Sequence, residues 1–147
     1  MYFESSENQS TDKQFHQHNN IRYLQGNGET ILVIDNDTSM RGFLREILTI
    51  NGYRVLTAQN SRQARSIYRN NTDRIELILM DMQTEHKEQF VAYMVRNEMR
   101  PMVLYTDKPF PAREQRTIKG ISVIEKPFDV YELFNLIKLK IEGVNLV

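Results

Sequence analysis

Ile31-Leu32-Val33-Ile34-Asp35-Asn36-Asp37-Thr38-Ser39 is the stretch that decides the fold. Four apolar residues, most of them β-branched, run straight into an acidic cluster. A short and wholly apolar run predicts a central strand of a parallel sheet, covered on both faces. Thr38 or Ser39 stands where a helix cap is needed. In sheets of this kind the ligand crevice lies at the carboxyl ends of the strands. Asp35 and Asp37 are therefore expected in that crevice. Two like charges there are costly unless neutralised, and a hard divalent cation with oxygen ligands, such as Mg²⁺, is the natural counterion.

Outward from this stretch the same unit repeats. Met40, Phe43, Leu44, Ile47 and Leu48 recur at helical spacing and predict one buried stripe, with Gly52 as the residue that ends the helix. Tyr53–Ala58 reads as a second strand. Asn60 or Ser61 can cap a helix running to about Arg69, with Ala64, Ile67 and Tyr68 inward. Ile75–Met80 is another apolar run and it too ends in an aspartate, Asp81. A third helix fits Glu88–Met99, and Met102–Tyr105 is a fourth strand ending in Thr106. Lys108-Pro109-Phe110-Pro111 cannot be interior helix. A short helix over Ala112–Lys119 is expected next, closed by Gly120. Ser122–Glu125 is the fifth strand, followed by Lys126-Pro127-Phe128. Asp129 and Glu132 have capping-box spacing, and Val130, Leu133, Phe134, Ile137 and Ile141 form the stripe of the last helix.

Strands alternating with helices predict an α/β fold with a five-stranded parallel sheet, right-handed crossovers and five helices. The doubly wound, flavodoxin-like order 2-1-3-4-5 makes strands one, three, four and five neighbours. Their carboxyl ends would then gather Asp35, Asn36, Asp37, Asp81, Thr106 and Lys126.

The chain has 147 residues, enough for one domain with a real core. The folded part is expected over 29–142. Residues 1–28 are polar and poor in aliphatics, which predicts a disordered tail, and 143–147 form a short C-terminal one. Nineteen basic and nineteen acidic side chains cancel. That leaves no global basic footprint for nucleic acid and no cationic surface for a membrane. Arg113, Arg116, Lys119, Lys138 and Lys140 read as solvated helix faces. Cysteine is absent, so thiolate metal sites and cysteine nucleophiles are excluded. With no apolar run near the ~20 residues of a membrane span and no signal-peptide core, a cytoplasmic location is the expectation.

ILVIDND at 31–37, LILMD at 77–81, VLYT at 103–106 and EKPF at 125–128, in this order and each at a strand end, resemble the receiver domain of two-component response regulators. The resemblance covers Thr30 to about Ile141. It implies a single-domain regulator whose Asp81 accepts a phosphoryl group from a histidine kinase or phosphotransfer protein and which signals through protein–protein contact. Lys126 would pair with one phosphoryl oxygen and Thr106 would bond another. Mg²⁺ would be held by Asp35, Asn36, Asp81 and the backbone carbonyl of Gln83, with Asp37 adding a ligand directly or through water. The downstream partner stays unnamed, and a homodimer is implied by the resemblance alone. Enzymatic activity would be limited to self-phosphorylation from a phosphodonor and autodephosphorylation.

Four departures qualify that pattern. Asn36 stands where a second acid is usual, so Mg²⁺ should bind more weakly. Glu85 and Gln89 replace the usual Pro and Gly of the loop after Asp81. Val123 replaces an aromatic switch. Pro109 and Pro111 interrupt the surface that usually docks partners. Two other readings remain open. One is a phosphorylation-independent binding module on the same scaffold. The other is a phosphohydrolase resembling the haloacid-dehalogenase type, with Asp35 of the Asp35-x-Asp37 pair as nucleophile.

Overall fold

The computed structural model describes residues 25–97, 100–107 and 120–143. Five parallel strands form one sheet: β1 (Thr30–Ile34), β2 (Arg54–Ala58), β3 (Ile75–Asp81), β4 (Met102–Thr106) and β5 (Ile121–Glu125), in the order β2-β1-β3-β4-β5. Among the described residues there are four helices, α1 (Thr38–Ile50), α2 (Ser61–Asn70), α3 (Lys87–Arg96) and α4 (Val130–Ile141). The helix expected over 112–119 and residues 1–24 of the tail expected over 1–28 lie outside the described residues, whereas residues 25–28 of that tail are described and Gly26 and Gly28 are hydrogen-bonded to the turn after α1.

The alternation of side chains along β1 divides the molecule into two cores. Ile31 and Val33 pack with Leu44 and Leu48 of α1 and with Leu133, Phe134 and Ile137 of α4. Leu32 and Ile34 pack with Ala64 and Tyr68 of α2 and with Phe90 and Met94 of α3. All five residues of β1 are buried, as a strand covered on both faces requires.

Three local expectations change. The cap of α1 is Asp37 rather than Thr38 or Ser39: its carboxylate accepts from the Ser39 amide at 2.9 Å. Its side chain is one residue nearer the strand end, where the chain is still extended, and an Ncap residue must be. Phe43 does not join the α1 stripe and is 46% exposed, because the helix turns Leu44 and Leu48 inward and leaves Phe43 at the stripe's edge. The helix expected from Glu88 begins at Lys87 and is described to Arg96. Elsewhere Asn60 caps α2 and Asp129 caps α4, each through its own side chain.

The turn from α1 into β2 also holds the chain that precedes β1. Gly52 adopts φ +94°, and a Cβ there would lie 2.6 Å from the Gly26 carbonyl oxygen. A Cβ on Gly26 would in turn meet the Tyr53 ring at 2.5 Å. The close approach lets the Gly26 and Gly28 amides donate to the carbonyls of Asn51 (2.7 Å) and Gly52 (2.8 Å).

Candidate functional site

The sheet order places the carboxyl ends of β1, β3, β4 and β5 side by side. Register extends this to single residues. Ile34 lies opposite Met80, so the next residues, Asp35 and Asp81, end the two strands together, and Asp81 is paired with Tyr105. The three share side-chain parity with Val33, Leu79 and Val103, which all belong to the α1/α4 core. Asp35, Asp81 and Tyr105 thus form one row across the sheet at the rim of that core.

Asp35 is 1% exposed. Both its carboxylate oxygens are bonded: Oδ1 accepts from the Asp37 amide at 2.8 Å, and Oδ2 accepts from the Tyr105 hydroxyl at 2.5 Å. Its backbone carbonyl takes the Arg41 guanidinium at 2.8 Å. A buried charge survives only with such partners. Tyr105 is itself fully buried, and burial, followed by the Asp35 carboxylate, pushes its hydroxyl pKa far up. Tyr105 therefore stays a neutral donor. Sequence reading passed over this residue. Its signal was a hydroxyl in an otherwise apolar strand, on the same parity as Asp35, since a buried tyrosine needs a partner for its O–H.

Asp81 is held differently. It is half-buried, and among the described residues a single amide, that of Gln83, donates to its carboxylate, at 3.2 Å to Oδ1. Burial raises its pKa most. The Gln83 amide and Lys126 oppose the rise, and the Asp35 and Asp107 carboxylates add to it. Desolvation and like charge together mark a group that wants a cation or a proton. The loop beyond it is fixed by the Met82 amide on the Tyr105 carbonyl at 2.8 Å and by the Thr84 amide on the Asp81 carbonyl at 3.0 Å.

Thr106 closes β4 and is 1% exposed. Its carbonyl accepts the Lys126 amide at 2.6 Å, which ties the β5 end to the β4 end. The peptide from Lys126 to Pro127 is cis. The Lys126 ammonium lies 4.9 Å from the centre of the Tyr105 ring, over its face, and Phe128 packs edge-on against the same ring at 6.1 Å. Lys126 thus stands beside the acidic row, on an aromatic face, and among the described residues no carboxylate is within ion-pair distance of it. A cation over a ring gains from the quadrupole while keeping its charge available.

The structure thus brings Asp35, Asp81, Thr106 and Lys126 to one rim. Asn36 and Asp37 lie on its exposed edge. One Asp37 oxygen serves the α1 cap, which draws that side chain toward the helix. Gln83 follows Asp81 in the exposed loop. Among the described residues there is no cluster of three His, Cys, Asp or Glu side chains of the kind that could hold a metal ion. Val123 packs into the α2/α3 core.

A family model for the response regulator receiver domain matches residues 31–138. The chain belongs to the response regulator receiver family. Solved receivers have the same fold. A receiver domain protein from Clostridium thermocellum is 21% identical over 78% of this chain and 95% of its own, with a TM-score of 0.67. The chemotaxis response regulator CheY4 of Vibrio cholerae is 21% identical over 78% of this chain and 98% of its own, with a TM-score of 0.64. The receiver domain of an HD domain-containing protein from Pseudomonas fluorescens Pf-5 is 18% identical over 80% and 97%, with a TM-score of 0.69. No curated protein sequence matches. The receiver order of strands is the order seen here, and no helix among the described residues is long and apolar enough to cross a membrane.

Proposed function

We propose that this receiver accepts a phosphoryl group on Asp81 from a phosphohistidine donor, on a histidine kinase or phosphotransfer protein, and passes the signal on by binding another protein. The observation that carries the proposal is the contrast in the acidic row: Asp35 has both oxygens committed, while Asp81 is reachable and lightly held. A carboxylate oxygen of Asp81 attacks phosphorus in line, forming a P–O bond as the P–N bond of the donor breaks. The leaving imidazole takes its proton from solvent. Positioning and charge neutralisation do most of the work in such a transfer. Lys126 can swing from the Tyr105 face to a phosphoryl oxygen, and Thr106 can donate to another.

The donor set suits Mg²⁺ by its chemistry, since every ligand is a hard oxygen and water can complete an octahedron. Of the ligands the resemblance implies, Asp81, the Asn36 amide oxygen and the Gln83 carbonyl would hold the ion directly, while Asp35, whose two oxygens already accept hydrogen bonds, would reach it through water, as would Asp37. When bound, it supplies charge neutralisation at the transferring oxygens. With an amide at position 36 the site carries one charge fewer than an acidic pair would give, so weak binding is expected. This also supports the second reading, a receiver that binds partners without being phosphorylated. The phosphohydrolase reading is disfavoured, because Asp35 would have to surrender the Tyr105 or Asp37 bond to act as nucleophile.

The test is intact-protein mass spectrometry after treatment with a small phosphodonor and Mg²⁺. One added phosphoryl group is expected on the wild type, none on Asp81→Asn, and at least about a hundredfold slower labelling on Lys126→Ala with an unchanged circular dichroism spectrum. A label that persists in Asp81→Asn moves the nucleophile elsewhere. No label on any form, with Mg²⁺ binding undetectable, favours the binding module.

A further inference from the structure

The second site lies on the other face of the sheet, in the groove between α2 and α3. A cavity of about 610 Å³ opens there, and Arg62, Arg65, Arg69, His86, Gln89 and Phe90 are among the residues lining it. Among the described residues no acidic side chain lines it. The three arginines recur at i, i+3 and i+7 of one helix, so they form a single row about 10 Å long. All three are exposed, and among the described residues none has a carboxylate within ion-pair distance.

This row is electrostatically unfavourable for the helix that carries it. Like charges three and four residues apart repel, and Arg62 lies at the positive end of a helix whose first turn has no acid. In a chain of zero net charge this concentration is local, not compositional. One member is also held in place: the Arg65 guanidinium stacks 4.6 Å over the Tyr93 ring of α3, which packs edge-on against Tyr68 of α2 at 6.4 Å. A guanidinium pre-positioned on an aromatic face keeps its donors aimed outward and loses less freedom on binding a carboxylate.

We infer that the α2/α3 groove is a docking site for an acidic polypeptide segment of a partner protein, gripped by Arg62, Arg65 and Arg69. Charge complementarity names the occupant. The row is short, about 10 Å, and it is a local feature of a chain with no net charge. That is too small a footprint for a nucleic-acid strand, which needs an extended basic surface, whereas a short peptide can place two or three acids against the arginines. The site also touches the loop that carries Asp81. The Ser61 hydroxyl at the start of α2 donates to the Glu85 carbonyl at 2.8 Å, which ties the groove to the loop that follows Asp81. The docking itself does not depend on the phosphorylation proposed above.

The test is fluorescence anisotropy on the full chain with a labelled oligoglutamate peptide. Saturable, salt-sensitive binding is expected, weakened by about tenfold or more in the triple variant Arg62→Gln/Arg65→Gln/Arg69→Gln and unchanged in Arg45→Gln, an exposed arginine of α1. The substituted positions are exposed, and circular dichroism confirms the fold of each variant. No saturable binding, or equal binding by the triple variant, overturns the proposal. Tighter binding of an oligothymidylate of matched charge overturns the assignment to a peptide.

Discussion

Asp35 and Asp81 end neighbouring parallel strands on the same side of the sheet, and the fold treats them in opposite ways. Asp35 is sealed under the rim with a tyrosine hydroxyl and a backbone amide on its two oxygens. Asp81 has one long amide contact and a pKa raised first by burial. The same side chain serves as an internal fixture in one place and as a half-buried, poorly compensated charge in the other. Position along a strand by itself does not make a carboxylate reactive. What matters is how many of its lone pairs the protein has already taken.

The comparison breaks most visibly at Asp35. Asp35→Ala leaves the Tyr105 hydroxyl and the Asp37 amide without their acceptor, and a loss of about 2–4 kcal/mol is expected in a urea melt. A loss under about 0.5 kcal/mol, the level of an ordinary surface change, would mean that Asp35 is no more structural than Asp81. Tyr105→Phe is the milder probe of the same contact. It should cost about 1–2 kcal/mol and, by freeing Oδ2 of Asp35, tighten Mg²⁺ binding measured by calorimetry. Weaker Mg²⁺ binding in that variant would show that the hydroxyl supports the metal site by orienting Asp35.

The smallest effect has the opposite sign. A carboxyl whose pKa is raised in the folded protein favours folding below its ordinary value of 3.8, and that contribution is lost as pH rises through the raised value. At neutral pH the folded chain therefore carries the cost of an ionised Asp81. Asp81→Asn is expected to raise Tm by a few degrees in divalent-free buffer, with the gain vanishing as the pH falls toward 3.8. Differential scanning calorimetry across that range gives the sign directly, and a pH-independent difference would remove the electrostatic explanation.

Much of this was legible in the chain. Apolar runs of strand length with an aspartate at their ends, alternating with helical stripes, are enough to specify a parallel doubly wound sheet, because each run can be buried only from both sides. Asn60, Gly52 and Asp129 could be read as helix punctuation for the same local reason. The sequence offers Thr38 or Ser39 as the α1 cap and the structure uses Asp37, since Asp, Thr and Ser all cap well and only the backbone angle selects among them. Phe43 was misplaced because a stripe drawn from spacing has no definite edge until the sheet beneath it is set.

The arginine row and the Tyr105 contact show the other limit. Arg62, Arg65 and Arg69 are plain in the sequence, but Tyr93 beneath Arg65 belongs to a different helix. Tyr105 and Asp35 stand seventy positions apart, and β3 runs between their strands. Among the described residues the sequence by itself determined which segments are strands and helices, their parallel order, and the family to which the chain belongs, because these follow from local periodicity and short motifs. The tertiary structure alone decided which carboxylate is sealed, which is open, and which charges lack a counterion among the described residues. Those properties depend on groups brought together across the sheet, and no pattern of neighbours in sequence encodes the distances between them.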